Sequence, residues 1–187
     1  KRIFGINAFY DQEFKYDHKR VSLGGEYLTS VGDLRANKYW AISNSLTTRY
    51  GIETALDGYD LELSLPLPYM PTTKYAAKLF NWSGTGTNPD IEGEVHSIII
   101  KIPFGADNLT LEAGKKSFDS SSMLDEEFVR LSYLINLGSV KPKQMSLFSE
   151  QAFNFTEITD RRFEKVRRTN TIVKETAANN QVIVSGY

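Results

Sequence analysis

The residues most able to do chemistry are two histidines, His18 and His96, in a chain without cysteine. Thiol nucleophiles, disulfide scaffolds and thiolate metal sites are therefore excluded. His18 follows Asp17, and an Asp–His pair can activate water. The pair stands in a polar stretch over residues 12–18, where ordinary loop polarity is the simpler account of it. His96 has no partner at metal-ligand spacing. Gly84-Thr-Gly86 and Gly24-Gly25 lack the strand–loop–helix setting of a phosphate loop and read as turn and strand glycines. Arg161, Arg162, Lys165, Arg167 and Arg168 form a basic cluster that could meet phosphates at a membrane surface, or simply be solvated. On these residues no catalytic, cofactor or metal site is expected.

The elements that would carry such residues are strands. Tyr59-Asp-Leu-Glu-Leu-Ser-Leu65 alternates apolar and polar residues, so one face is greasy and the other wet. The pattern returns in Val21-Ser-Leu-Gly-Gly-Glu-Tyr27, Leu109-Thr-Leu-Glu-Ala113 and Val129-Arg-Leu-Ser-Tyr-Leu-Ile-Asn-Leu137. It predicts ten strands, over 2–11, 19–29, 33–43, 56–65, 73–82, 94–103, 108–117, 128–138, 143–155 and 163–175. Connections over 12–18, 44–54, 83–93 and 118–127 are long and polar. Those at 31–33, 66–72 and 104–107 are short, with Gly or Pro placed as turns require. Long loops on one rim and short turns on the other are the habit of membrane β-barrels. The mean hydropathy of −0.35 does not oppose this, because every second strand residue of a barrel is polar. No run approaches the ~18 apolar residues of a spanning helix. A net charge of −1 argues against a nucleic-acid binder.

Two faces follow from the parity. The lipid-facing set includes Tyr10, Tyr27, Trp40, Tyr59, Leu61, Leu63, Tyr75 and Tyr133, with aromatics near strand ends as in interfacial girdles. Strands favour aromatics in any case. The lumen set includes Arg20, Glu26, Arg35, Asp60, Glu62, Lys74, Lys78, Glu112, Lys116 and Arg130. Both signs are present, so a hydrated lumen could pair them across strands. Lys38 on the lipid parity and Ile99 on the lumen parity break the rule. Gly5, Gly24, Gly58 and Gly114 share the lumen parity, where they either leave room for a second backbone or relieve barrel curvature.

The ordered motifs resemble one family. Phe4-Gly-Ile-Asn-Ala-Phe-Tyr-Asp-Gln-Glu-Phe14 and Lys19-Arg-Val-Ser-Leu-Gly-Gly-Glu-Tyr27 are similar to the "GxNxFxDxxF…RxGxGxE" run of the intimin/invasin inverse autotransporter β-barrel. Gly58-Tyr-Asp-Leu-Glu-Leu63 resembles that family's "GFDxR" strand. Leu67-Pro-Tyr-Met-Pro71 with Ala77-Lys-Leu79 resembles "LPxYPxLGAKL", with Met70 as a departure. Val166-Arg-Arg-Thr-Asn-Thr-Ile-Val173 resembles the closing "VxRNNxIxLEY", with Thr169 in place of an Asn.

The resemblance implies an all-β, antiparallel up-and-down barrel of twelve strands in the bacterial outer membrane. Residues 1–175 would supply strands three to twelve, the first two lying outside this chain. Residues 176–187 would begin a linker rising through the lumen, and twelve extended residues reach roughly 40 Å. The implied work is export and anchoring of a C-terminal adhesin passenger, with no enzyme activity and no cofactor. Implied partners are the outer-membrane bilayer, the barrel-assembly machinery, the passenger and, through it, a host receptor. Lys1 is no initiator, so the chain reads as a mature or excised piece. A rim-site outer-membrane hydrolase and a soluble β-sandwich binding module are the alternatives.

Overall fold

The structure, a computed structural model, describes residues 1–104, 107–120, 123–134, 146–153, 158, 161–162, 164–178 and 181–185. These residues form twelve strands and no α-helix. Eight strands make one antiparallel sheet: β1 (Arg2–Gln12), β2 (Lys19–Thr29), β3 (Asp33–Ala41), β6 (Gly58–Leu67), β7 (Met70–Trp82), β8 (Ile91–Phe104), β9 (Asp107–Phe118) and β10 (Glu126–Leu134). They are the first eight predicted from the alternation, each paired antiparallel with the next of the eight, the β2–β3 and β6–β7 pairs across short turns and β1–β2, β3–β6 and β7–β8 across longer loops. At the β2–β3 turn, the Thr29 hydroxyl accepts from the amides of Val31 and Gly32 and donates to the Gly32 carbonyl.

The other two predicted strands differ. Residues 146–153 are not a strand; Ser149 N–H donates to the Tyr69 carbonyl and Tyr69 N–H to the Ala152 carbonyl, bracing the β6–β7 turn. The rest of the predicted 143–155 strand lies outside the described residues. Residues 164–173 are likewise not a strand but an extended segment against the face of the sheet. Among the described residues β1 and β10 are unpaired with each other, so the sheet is open, with eight strands where a barrel of about ten was expected.

A second sheet was not expected at all. It has the order β12-β11-β5-β4, from β4 (Leu46–Thr48), β5 (Gly51–Ala55), β11 (Lys174–Ala178) and β12 (Gln181–Ser185). β4 and β5 lie in the predicted 44–54 loop, so this small sheet stands at the long-loop rim. β11 straddles the boundary expected at residue 175, and residues 176–178 pair with β5 and β12 at that rim.

The large sheet has an inverted polarity. In β6, Asp60, Glu62 and Ser64 are buried while Tyr59, Leu61, Leu63 and Leu65 are exposed. Phe4, Ile6, Leu23, Leu34, Trp40, Val129 and Leu131 extend the exposed apolar side. A contiguous patch of this kind is tolerable only against another apolar medium. Among the described residues an apolar cluster of the buried side is formed by Tyr39, Leu56, Phe80, Trp82, Ile91 and Val173, close under the long-loop rim. Gly58 is required there, since a Cβ would strike the Trp82 ring.

Candidate functional site

The buried face of the sheet is a field of paired charges. Glu26, Arg35 and Glu62 stand opposite one another across β2, β3 and β6. Arg35 reaches Glu62 at 3.3 Å and Asp33 at 3.3 Å, and lies 3.6 Å from Glu26. Glu112 on β9 accepts from Ser97 at 2.9 Å and from Arg130 at 3.2 Å. Arg20, fully buried, donates to Asp11 at 2.8 Å and covers the Tyr39 ring. Unpaired, such groups would each cost several kcal/mol; satisfied geometry is what keeps them inside.

Residues 164–173, with Arg161 ahead of them, complete these pairs. Arg161 makes a bidentate contact with Asp33 at 2.7 and 2.8 Å and also donates to the Thr29 carbonyl, both at the short-turn end of β2–β3. Arg167 lies at mid-sheet, donating to Glu62 at 2.7 Å and Glu112 at 2.9 Å, and its carbonyl accepts from Asn37 at 3.2 Å. Thr169 N–H donates to the Tyr39 hydroxyl and Thr169 Oγ1 to Asp60. Arg168 grips Asp11 through two bonds of 2.6 and 2.8 Å and covers the Phe9 ring. Arg20 donates to the Thr169 and Thr171 carbonyls. Val173 accepts from Leu56 N–H at the opposite rim. The segment thus runs the height of the sheet, from the short turns to the long loops.

The sequence-assigned lumen residues all lie on this buried-face parity. Arg20, Glu26, Asp60, Glu62, Glu112 and Arg130 join the network just described; Lys116 covers Phe80. The space at Gly5, Gly24, Gly58 and Gly114 is taken first by atoms of neighbouring strands, those of Glu26, of Asn7 and Asn37, of Trp82, and of His96 and Ser97. Tyr10, Tyr27, Trp40, Tyr59, Leu61, Leu63, Tyr75 and Tyr133 lie on the opposite parity. Both exceptions are genuine: Lys38 is on the apolar side over the Tyr59 ring, and Ile99 is buried on the polar side.

The Asp17–His18 pair dissolves. Asp17 takes Lys19 and Gln12, whereas His18 is buried and meets Glu53 at 3.2 Å. His96 bonds Tyr75 and Glu94. Among the described residues no cluster of His, Asp or Glu could hold a metal. The basic cluster divides: Arg161, Arg167 and Arg168 face carboxylates of the sheet rather than phosphates or solvent, whereas Arg162 and Lys165 are exposed. The missed partners, Asp11 and Asp33, stand at strand ends where loop polarity hides them. One signal was readable. Neither parity of Lys165–Val173 is apolar, so this stretch has no side to offer lipid.

A family model described as "Inverse autotransporter, beta-domain" matches residues 1–170. The chain belongs to that family. An inverse autotransporter β-domain is an outer-membrane β-barrel of Gram-negative bacteria and acts as a type V secretion translocator and anchor for a passenger. No curated protein matches the chain in sequence. A solved chain from work entitled "Unveiling the Mechanism Behind the in-meso Crystallization of Membrane Proteins" has the same fold. It superposes with a TM-score of 0.66 at 16% identity, over 92% of this chain and 73% of its own. The buried polar face removes the β-sandwich alternative, which needs an apolar interior.

Proposed function

We propose that this domain holds an adhesin passenger at the bacterial surface, with residues 164–173 as the tether that crosses the lumen. The observation that carries the reading is the ladder of Arg161, Arg167, Arg168 and Thr169 along the buried face, from one rim to the other. An extended backbone inside a barrel needs its polar groups satisfied without a sheet. Here Arg20, Asn37 and Tyr39 do so. The tether replaces the twelfth strand and the 176–187 linker that the resemblance implied. The lipid-facing and lumen-facing residues named above keep those roles. The barrel-assembly machinery inserts the domain, and the host receptor is met by the passenger alone.

Topology tests this. A short epitope at Gly86 is expected to be reachable by antibody on intact cells, and one at Gly32 only after the outer membrane is opened. A reversed result would send the tether inward and end the reading.

A further inference from the structure

Beyond the tether's path, its outer end does something to the loops it meets. Lys174 donates to Glu13, in the 12–18 loop, at 3.0 Å and lies 3.2 Å from Glu53 on β5. Glu175 is buried and accepts from Thr85 N–H at 3.0 Å and Thr85 Oγ1 at 2.7 Å, and from Asn88, all in the 83–93 loop. Two adjacent residues of opposite charge therefore tie down three of the long loops. The backbone acts alongside them: Lys174, Glu175, Thr176 and Ala177 pair with Ala55, Thr54, Glu53 and Ile52. Without β11, what remains of the small sheet is a hairpin of three and five residues, too short to persist in water. Glu53, which also takes Thr48 and His18, would lose its Lys174 partner.

We propose that Lys174 and Glu175 are an exit latch. The emerging chain adds a strand to β5 and folds the 12–18, 44–57 and 83–93 loops around itself, so the exported segment closes the rim that released it. Strand addition supplies the backbone bonds, and the charged pair chooses the register, because a shift by one residue would send Lys174 toward Thr85 and Glu175 toward Glu13 and Glu53. The proposal rests on the tether reading, and its test separates the two.

An epitope placed after Tyr187 on cells carrying the chain reports export. Protease cutting in the 44–57 and 83–93 loops, normalised to displayed epitope, reports the latch. Glu175→Leu is expected to raise cutting in the 83–93 loop about five- to thirtyfold, and Lys174→Met to do the same in the 44–57 loop. Asn170→Ala, at an exposed position of the tether, is expected to change neither. Where Glu175→Leu lowers display too far to measure, the loop-side double change Thr85→Val and Asn88→Leu asks the same question and is expected to loosen the 83–93 loop. Unchanged normalised cutting would overturn the latch. Absence of surface epitope from the unaltered chain would instead overturn the tether reading.

Discussion

Glu62 and Leu63 are neighbours on β6, yet one is 2% exposed and the other 46%. The same contrast divides the whole sheet: its hidden face is charged and its open face is apolar. The difference teaches where each face finds its solvent. Leu63 and its row lie on the exposed apolar side, the one assigned to lipid under the proposed function. Glu62 has Arg35, Lys78 and Arg167 around it, so its surroundings are other charges rather than bulk water. A hydrated lumen would make the polar face the tolerant one. The network reverses the order of sensitivity.

The largest effect is therefore expected from Glu62→Arg, which sets a fourth cation among three and removes the carboxylate they share, leaving Arg35 to Asp33 and Glu26 and Arg167 to Glu112. Removing one partner of a buried pair costs ~3–5 kcal/mol, and reversing its charge costs at least as much. Urea unfolding in detergent micelles should show no folded population or a strongly lowered midpoint. Leu63→Arg comes next, at roughly 2–4 kcal/mol for a cation facing the bilayer midplane, read from the same titration in lipid vesicles. If Leu63→Arg proved the worse of the two, the lumen around Glu62 would be hydrated and the ladder looser than described.

A smaller effect is expected from acid at the rim. Burial pushes the Glu53 carboxyl up, but hydrogen bonds from Thr48, Lys174 and His18 outweigh it and hold it below the usual carboxylate range. A group depressed on folding contributes stability above its unfolded value, near 4.3 for Glu, and loses it as pH falls through the folded value. Protection from hydrogen exchange at Ile52 and Glu53 should therefore fall below about pH 4, with Glu13, Lys174 and His18 the titratable neighbours of this site. Exchange at mid-sheet positions of β6 should lag behind. Simultaneous loosening of both would mean that the rim sheet has no separate stability.

Legibility in the sequence followed the same division. The eight strands of the large sheet were readable because alternation is local, and each pairs with the next alternating segment in the chain. Both faces were readable for the same reason, down to Lys38 and Ile99 as exceptions. The tether was not, because its partners are fixed by pairings between residues far apart: Arg168 with Asp11, Arg161 with Asp33. Its resemblance to a closing strand outweighed the absence of an apolar parity. The rim sheet was hidden further still. Leu46-Thr-Thr48 and Gly51-Ile-Glu-Thr-Ala55 are too short to announce strands and gain their order from β11.

The central claim, that the tether lies inside at mid-height, is tested most directly by disulfide trapping in intact outer membranes. Asn37 donates to the Arg167 carbonyl, and the chain has no cysteine of its own. Asn37→Cys is combined in turn with cysteine at Lys165, Val166, Arg167 and Arg168, since bridging needs Cα atoms within ~7 Å. Ala36→Cys with Leu61→Cys, directly opposite across β3 and β6, serves as the control pair. The account predicts that at least one Asn37 combination crosslinks on oxidation. Failure of all four while the control pair bridges would contradict it.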